Sequence, residues 1–455
     1  MKSRLLPRLT APTILLALAL ATMASGQVVI DSVDVGAFPV SDMLYNPVLD
    51  LVYGCIGLQD GIFFVIDCAT NQVIESRTQQ SPGVFAYDST DNKLYLTTHS
   101  GDYDTVLVLD GTTFQPVARI PLWWVSVPLW DSDRNRVYVT CPDDNEVAVI
   151  DCTTDSVIAT VRVGRWPGTM QMNSRHDRLY VLNHDGESVS IVDLEALEEV
   201  EEIRLGGVPQ CGLYSEAAGK FYCGGTWSVT VIDGAGDSVV AAVPLPYYGL
   251  AYSLAENPEA EVVVAGVFAT TYCLCAISTR SDTMLTILQC PREPLRIKWS
   301  PYTRQLYAAC GAGVVAVVNS DGSAVVAEVP VQNCPFCMAL SPRQHRLYVG
   351  HLNSRLVYVL RDQSIGVEEP AGEPAPTVQL RAWPSPFRRT LMVACDGEGP
   401  CRVFGADGRL VRTLPFRNGQ CRWDGRDNRG VLVPPGAYLL AVAGAGACRA
   451  RVVKF

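Results

Sequence analysis

The stretch RVYVTCPDDNEVAVIDCTTDSVIATVRVGRWPG, residues 136–168, decides the fold. Two short alternating segments, RVYVT and EVAVID, flank a polar turn, and a third segment, SVIATVRVG, leads into a corner of Gly and Pro residues. Apolar and polar residues that alternate over five to eight positions between turn formers are typical of half-buried antiparallel strands. The stretch therefore predicts a small antiparallel sheet.

This unit occurs eight times between residues 27 and 366. Consecutive units are spaced by 41 to 44 residues, and their anchor positions are Tyr53, Tyr95, Tyr138, Tyr180, Tyr222, Val263, Tyr307 and Tyr348. Four short strands per repeat of about 42 residues are typical of a β-propeller blade. The sequence predicts an all-β fold with an eight-bladed β-propeller. Seven blades is the alternative, with the divergent unit around Val263 as the irregular one.

The two ends of the repeat array complement each other. The last unit stops after VYVLRD (residues 357–362) and lacks its outer strand, whereas residues 28–36, VVIDSVDVG, form a strand pattern without a blade. Pairing of these two segments would close the ring and cover a sheet edge that otherwise invites aggregation. We therefore expect the N-terminal segment to complete the last blade.

Residues 136–168 resemble the YVTN family of β-propeller repeats. The resemblance covers residues 27–366 and is strongest from Arg136 to Gly206. Similar repeats occur in surface-layer proteins, in lactonase-like enzymes and in propeller domains of periplasmic oxidoreductases. The resemblance therefore implies the fold and leaves the function open.

The C-terminal part has a separate character. Residues 367–376 are rich in Pro and Glu and predict a linker, and residues 377–455 form a second module. FGADGRLVRTL and CRWDGRDNRGVLVPPGAYLL resemble the Ig-like module of flagellar hook-capping proteins and the C-terminal modules of type IX-secreted surface proteins. WPSPF is similar to the YPNPF opening of those sorting modules, with Ser385 in place of Asn. The resemblance implies a small Ig-like β-sandwich, with Trp423 and Tyr438 in its core, for sorting or attachment.

Residues 1–26 have the pattern of a signal peptide. Three basic residues lie within the first eight positions, an apolar run covers residues 14–21, and Ala24-Ser25-Gly26 offers a cleavage site. The apolar run is shorter than the roughly 20 residues that a membrane span requires. We expect a secreted or cell-surface protein, in the periplasm or outside the outer membrane, without a membrane span in the mature chain.

Cysteine usage agrees with export. The chain has 16 cysteines, and in an exported protein this number favours disulfides. Two pairs lie symmetrically about turns, and a third follows because both cysteines remain in the C-terminal module. The candidate disulfides are Cys211–Cys223, Cys395–Cys401 and Cys421–Cys448. The alternative for each cysteine is a small buried apolar side chain.

The charge is unevenly divided. The chain carries a net charge of −11, but residues 377–455 hold thirteen Lys and Arg against five Asp and Glu, a net charge of +8, which leaves −19 for the rest. A basic module could dock on an anionic envelope of glycan or lipid, although an ordinary solvated surface is equally compatible. Its Arg residues are scattered without interleaved aromatic residues, which argues against nucleic acid.

The predicted corners between blades are unusually aromatic. They lie on one face of a propeller, around the mouth of its central channel, where rings suit stacking on sugars or gripping a peptide. The candidate ligand-binding residues are Phe38, Trp123, Trp124, Arg165, Trp166, Tyr247, Tyr248, Arg292 and Phe336. The alternative is that these rings form a lid over the blade cores.

No catalytic constellation is recognisable. Asp67, Asp110, Asp151, Asp193 and Asp233 end the same strand in successive blades, which indicates hydrogen bonding in turns. His99, His184 and His351 are expected to be exposed loop residues. The C-x-x-C at residues 334–337 is followed by Met, which excludes c-type haem, and no cofactor is expected.

These patterns favour a non-catalytic binding or scaffold protein whose partners are a surface glycan or protein and the secretion machinery. A structural surface-layer component is the alternative. A lactonase-like or lyase-like propeller enzyme comes third.

Overall fold

A computed structural model describes residues 28–99, 104–290, 292–332 and 334–363, and then 380–383, 391–395, 400–404, 410–415, 420–434, 436–442 and 448–454. The chain divides into two compact units, Met1–Gly366 and Val367–Phe455. The expected signal peptide and linker lie outside the described residues.

Eight four-stranded antiparallel sheets form the first unit. The first strand in the described residues is β1 (Val29–Asp34). Blade 1 is β2 (Val40–Asn46), β3 (Leu51–Ile56), β4 (Asp60–Asp67) and β5 (Gln72–Gln80). Blade 2 is β6 (Pro82–Asp88), β7 (Lys93–Thr98), β8 (Asp104–Asp110) and β9 (Pro116–Leu122). Blade 3 is β10 (Pro128–Asp131), β11 (Arg136–Cys141), β12 (Glu146–Asp151) and β13 (Ser156–Arg162). Blade 4 is β14 (Pro167–Asn173), β15 (Arg178–Asn183), β16 (Ser188–Asp193) and β17 (Glu198–Arg204).

The second half repeats the arrangement. Blade 5 is β18 (Pro209–Ser215), β19 (Lys220–Gly225), β20 (Ser228–Asp233) and β21 (Ser238–Pro244). Blade 6 is β22 (Leu250–Asn257), β23 (Val262–Phe268), β24 (Cys273–Ser278) and β25 (Thr283–Gln289). Blade 7 is β26 (Pro294–Ser300), β27 (Gln305–Cys310), β28 (Val314–Val318) and β29 (Val325–Pro330). Blade 8 adds β30 (Pro335–Ser341), β31 (Arg346–His351) and β32 (Leu356–Arg361). A short 3-10 helix, Pro246–Tyr248, lies between blades 5 and 6.

The N-terminal strand closes the ring, as the sequence predicts. β1 pairs antiparallel with β32, with Ser32 opposite Tyr358 and Asp34 opposite Leu356. It thereby becomes the outer strand of blade 8. The unit around Val263 is a complete four-stranded sheet, so the prediction of eight blades is confirmed and the seven-bladed alternative is wrong.

The first strand of each blade lies innermost. β2, β6, β10, β14, β18, β22, β26 and β30 contact one another in this cyclic order, and β30 returns to β2. These eight strands surround the axis of the ring. The side chains of the following strands fill the spaces between blades with apolar clusters, such as the one that joins Val52 and Phe64 of blade 1 to Tyr348 and Val357 of blade 8.

Most anchor tyrosines join their blade to a neighbouring one through the hydroxyl group; the hydroxyl of Tyr138 has no such partner among the described residues. Tyr95 is fully buried, and its hydroxyl donates to Oδ1 of Asp155 in blade 3 at 2.7 Å. Lys93, two residues earlier on the same strand face, places its Nζ 2.8 Å from the other oxygen of that carboxylate. Equivalent hydroxyl bonds join Tyr180 to Asp237, Tyr222 to Asp282, Tyr307 to Asp362 and Tyr348 to Asn71. At Lys93 and Tyr95, where the second strand carries Lys two residues before Tyr, both side chains form polar contacts with the next blade.

The repeated aspartates hold turns, which confirms the sequence prediction. Oδ1 of Asp151 accepts hydrogen bonds from the backbone N–H groups of Thr153 and Thr154 at 3.0 and 2.9 Å. Asp67, Asp110, Asp193 and Asp233 accept equivalent bonds in their own turns.

The described residues of the second unit form two sheets. Its strands are β33 (Leu380–Trp383), β34 (Leu391–Cys395), β35 (Cys401–Phe404), β36 (Leu410–Leu414), β37 (Gln420–Trp423), β38 (Gly436–Val442) and β39 (Cys448–Lys454). The sheet orders are β33-β34-β37 and β36-β35-β38-β39. Trp423 is fully buried and packs edge-on against Tyr438 at 5.0 Å, so both residues belong to the core as predicted.

Within the described part of the chain, no helix is long and apolar enough to cross a membrane.

Candidate ligand-binding face

The corners that join one blade's outer strand to the next blade's inner strand all lie on the same side of the ring. The loops between second and third strands share this side because successive strands are antiparallel. We call this side the corner face. It surrounds one mouth of the central channel.

Most of the predicted aromatic residues are exposed on the corner face. Their exposed fractions range from 41% to 86%. These residues are Phe38, Trp123, Trp124, Trp166, Tyr247 and Tyr248. A large part of each ring is therefore accessible to solvent. Arg165 and Arg292 are exposed beside them. Phe336 differs, since it is half-buried and packs against the apolar cluster between blades 8 and 1.

Four of these aromatic residues adopt a left-handed backbone. Trp124 and Trp166 have φ values of 43° and 55°, and Tyr247 and Tyr248 have values of 56° and 53°. At two other corners the left-handed residue is glycine, Gly36 or Gly206, which adopts this conformation without steric cost, and at two more it is Ser81 or Cys334. A bulky residue in this region is strained by about 1–3 kcal/mol, and such strain clusters at functional sites.

Sequence reasoning missed further rings on the corner face. Trp227 lies in the loop between β19 and β20, is exposed, and has a φ of 73°. Its N–H donates to the carbonyl of Gly249 at 2.7 Å, and its carbonyl accepts from the N–H of Leu245 at 2.7 Å. These bonds fix the loop against the corner that holds Tyr247 and Tyr248. In the sequence, this residue could have been recognised as a Trp two positions after the strand KFYCGG.

A second missed group lies on blade 6. The rings of Tyr252 and Phe268 are 6.0 Å apart, and those of Phe268 and Tyr272 are 5.4 Å apart. Tyr252 and Phe268 are both more than a third exposed. Blade 6 therefore continues the aromatic surface of the preceding corner.

Charged residues lie deeper, on the inner strands. Arg296 and Lys298 alternate on β26, so their side chains share one face of that strand. The guanidinium of Arg296 lies over the ring of Phe336, with 5.0 Å between Cζ and the ring centroid. Asp42 on β2 accepts from the N–H of Phe85 at 3.3 Å. Burial raises the pKa of Asp42, and hydrogen bonds from the N–H groups of Phe85 and Met43, together with the charges of Arg296 and Lys298, oppose this rise.

The histidines occupy separate positions. Nδ1 of His99 is 2.9 Å from Asp104, and Nδ1 of His184 is 3.0 Å from Asp185. His351 is fully buried, so the expectation of an exposed loop histidine is wrong for this residue. Burial lowers its pKa to about 4. Among the described residues, no group of three or more His, Cys, Asp and Glu side chains is placed to hold a metal ion.

The strand register does not support a Cys211–Cys223 disulfide. Cys211 pairs with Gly224 and Cys223 pairs with Gly212, because a bulge shifts the register near the start of β18. The two thiols therefore project to opposite faces of the sheet and join different apolar clusters. Cys211 and Cys223 are separate thiols.

The other two predicted disulfides each include a side chain, of Cys395 or Cys448, that lies outside the described residues. Their described partners contact each other instead. Cys401 and Cys421 share the core of the second unit, and the thiol of Cys421 is hydrogen-bonded to that of Cys401.

Comparison with known proteins supports the propeller. The chain is 26% identical over 128 residues to the uncharacterized protein YncE of Salmonella typhi, a match that covers 27% of this chain and 36% of YncE. The chain thus spans about a third of the length of that relative. No protein-family model matches.

Solved structures share the fold at low sequence identity. BamB from Moraxella catarrhalis superposes with a TM-score of 0.54 at 13% identity, covering 74% of this chain and 99% of BamB. Sqt1 from Saccharomyces cerevisiae gives 0.60 at 12% identity, covering 70% and 95%. The computationally designed protein Ika8 gives 0.59 at 14% identity, covering 72% and 98%. The chain is a β-propeller repeat protein.

Proposed function

We propose that this chain is an exported, non-catalytic binding protein whose corner face binds a surface glycan. The observation that carries the proposal is the left-handed backbone of Trp124, Trp166, Tyr247 and Tyr248. Glycine satisfies the same conformation at Gly36 and Gly206. Rings that remain largely exposed at strained positions gain less from burial than core rings do, so we attribute them to contact with a ligand.

A glycan fits the chemistry of this face. The exposed rings surround the mouth of the channel and offer flat apolar faces to the C–H groups of a sugar. Arg165 and Arg292 supply donors for hydroxyl groups beside them. A protein segment that inserts an extended strand or loop into the mouth is the other ligand that this surface accommodates.

The second unit would hold the protein at the cell surface. Its two sheets and the core around Trp423 are compatible with an Ig-like sorting or attachment module. The net charge of +8 in residues 377–455 favours contact with an anionic envelope. Together with the signal-peptide pattern, these features support a periplasmic or extracellular location.

Glycan-array binding tests the proposal. We compare the purified chain with a Trp123→Ala/Trp166→Ala double variant and with Tyr302→Ala. Tyr302 is 52% exposed in a turn on the opposite side of the ring, so it controls for loss of an exposed ring. We expect a defined sugar signal that the double variant loses and the control keeps, with melting temperatures within a few degrees. A chain that binds no glycan, or a double variant that binds normally, contradicts the proposal.

Ordered self-assembly is a second candidate. The outer strands carry exposed apolar residues, including Val239 and Val240 on β21 and Leu285 and Ile287 on β25. An exposed apolar edge strand favours edge-to-edge association. Analytical ultracentrifugation that shows large ordered assemblies, lost in a Val240→Lys variant, would favour a structural surface layer.

A further inference from the structure

The channel is lined unequally by charge. Among the described residues of the inner strands, the acidic side chains are Asp42, Asp88, Asp131 and Glu256. Asp88 and Asp131 are buried at the far ends of their strands, where they accept turn N–H groups. Glu256 accepts from the hydroxyl of Ser215. Asp42 is thus the inner-strand carboxylate nearest the corner face, and Glu293 lies in the corner directly before β26.

Two cations share this level of the channel. Arg296 and Lys298 lie within the first five residues of β26, which starts at the corner face. Both side chains are exposed to the channel. The protein around the channel desolvates Lys298 and thereby lowers its pKa, and the negative charge of Asp42 opposes this shift. In the described residues, neither forms an ion pair within 4.0 Å. At this level of the channel, these two cations outnumber the single inner-strand carboxylate, Asp42, whereas the inner strands as a whole carry four acidic residues.

Burial raises the pKa values of Asp42, Cys337 and Cys211, and the positive charge of Arg296 opposes this rise in all three. Phe336 supports its guanidinium from one side. A planar guanidinium held in this way presents its remaining N–H groups in a fork that matches a carboxylate.

We propose that Arg296 and Lys298 form a carboxylate site in the channel that takes the acidic sugar of a glycan, with Asp42 accepting a sugar hydroxyl. This inference rests on the proposed glycan function and names its ligand class. A uronic acid supplies both groups at once, since its carboxylate meets the two cations and its hydroxyls meet the acceptor oxygens of Asp42. Desolvation in the channel strengthens these contacts relative to the outer surface.

The test is calorimetric titration of the full chain with trigalacturonate and with its methyl ester, which is the same sugar without charge. We expect the acid to bind at least about tenfold more tightly, as charge-assisted hydrogen bonds imply. Arg296→Gln and Lys298→Gln should each remove this preference, and Arg162→Gln should keep it. Arg162 is an exposed cation on outer strand β13 and serves as the matched control. Melting temperatures verify that each variant is folded.

The outcomes separate the two proposals. Equal binding of acid and ester, lost in the Trp123→Ala/Trp166→Ala variant, would overturn the carboxylate site and leave the glycan face intact. A preference for the acid that survives in Arg296→Gln would also overturn the site. An acid preference lost in Arg296→Gln but unaffected by the tryptophan changes would support the site and refute the role of the rings. Binding of a tri-glutamate peptide but of neither sugar would overturn the assignment to a glycan.

Discussion

The strain at the corner face makes a quantitative prediction at Trp166. Replacement by Ala or by Gly removes the same ring and the same contacts, so the difference between the two variants isolates the backbone. At a φ of 55°, a residue with a Cβ costs about 1–2 kcal/mol, whereas glycine has no such penalty. We therefore expect Trp166→Gly to be more stable than Trp166→Ala by about 1 kcal/mol after the extra chain entropy of glycine in the unfolded state is subtracted.

Thr160 provides the control for this comparison. It is exposed on the neighbouring strand β13 and pairs regularly with Ala148. In such a strand glycine is less favourable than alanine by about 0.5–1 kcal/mol, so the order of stability should reverse at this position. Urea unfolding with equal slopes gives the free energies. If the alanine variant at position 166 is as stable as the glycine variant, the corner imposes no strain and the functional argument fails.

Three further predictions concern stability and redox state. Tyr222→Phe should lower the free energy of unfolding by about 1.5–3 kcal/mol, because a hydrogen bond to a charged carboxylate of the next blade is lost; Tyr248→Phe, whose ring is 86% exposed, should have no effect in the same urea assay. The pKa of His351 is lowered to about 4 in the folded chain, so its contribution to stability is complete above the unfolded pKa of about 6.5 and is lost as the pH falls towards 4. Unfolding at pH 7, 5 and 4 should show a loss of roughly 3 kcal/mol that His351→Gln reduces, and an unchanged pH profile would contradict this. After oxidation, peptide mapping should join Cys401 to Cys421, and a crosslink from either one to another cysteine would refute the observed contact.

The repeat made the propeller predictable. A Tyr at intervals of 41 to 44 residues marks the second strand of a blade, and the unpaired patterns at both ends of the array required closure by β1. Most of these Tyr hydroxyls are hydrogen-bonded to a neighbouring blade. The contact that requires Tyr at this position is therefore also what makes the repeat visible in the sequence. Blade 6 was predictable despite Val263, since its strand pattern persists where the hydroxyl is missing.

The site was only partly predictable. Turn residues located the corners, and the rings of Trp123, Trp124 and Trp166 were visible there. Arg296 and Lys298 were not, because alternation within a strand does not tell which face turns to the channel. The predicted pairing of Cys211 with Cys223 was wrong for a related reason. A bulge shifts the strand register by one residue, and the sequence carries no clear sign of this bulge.

Hydrogen–deuterium exchange on the chain with and without its best glycan-array ligand tests the central claim most directly. We expect protection confined to the corner face, at residues 36–39, 123–126, 164–167 and 246–249, with none in the turns on the opposite side around residue 302. Protection in those opposite turns, or only along the outer strands, would contradict a ligand held by the aromatic corners.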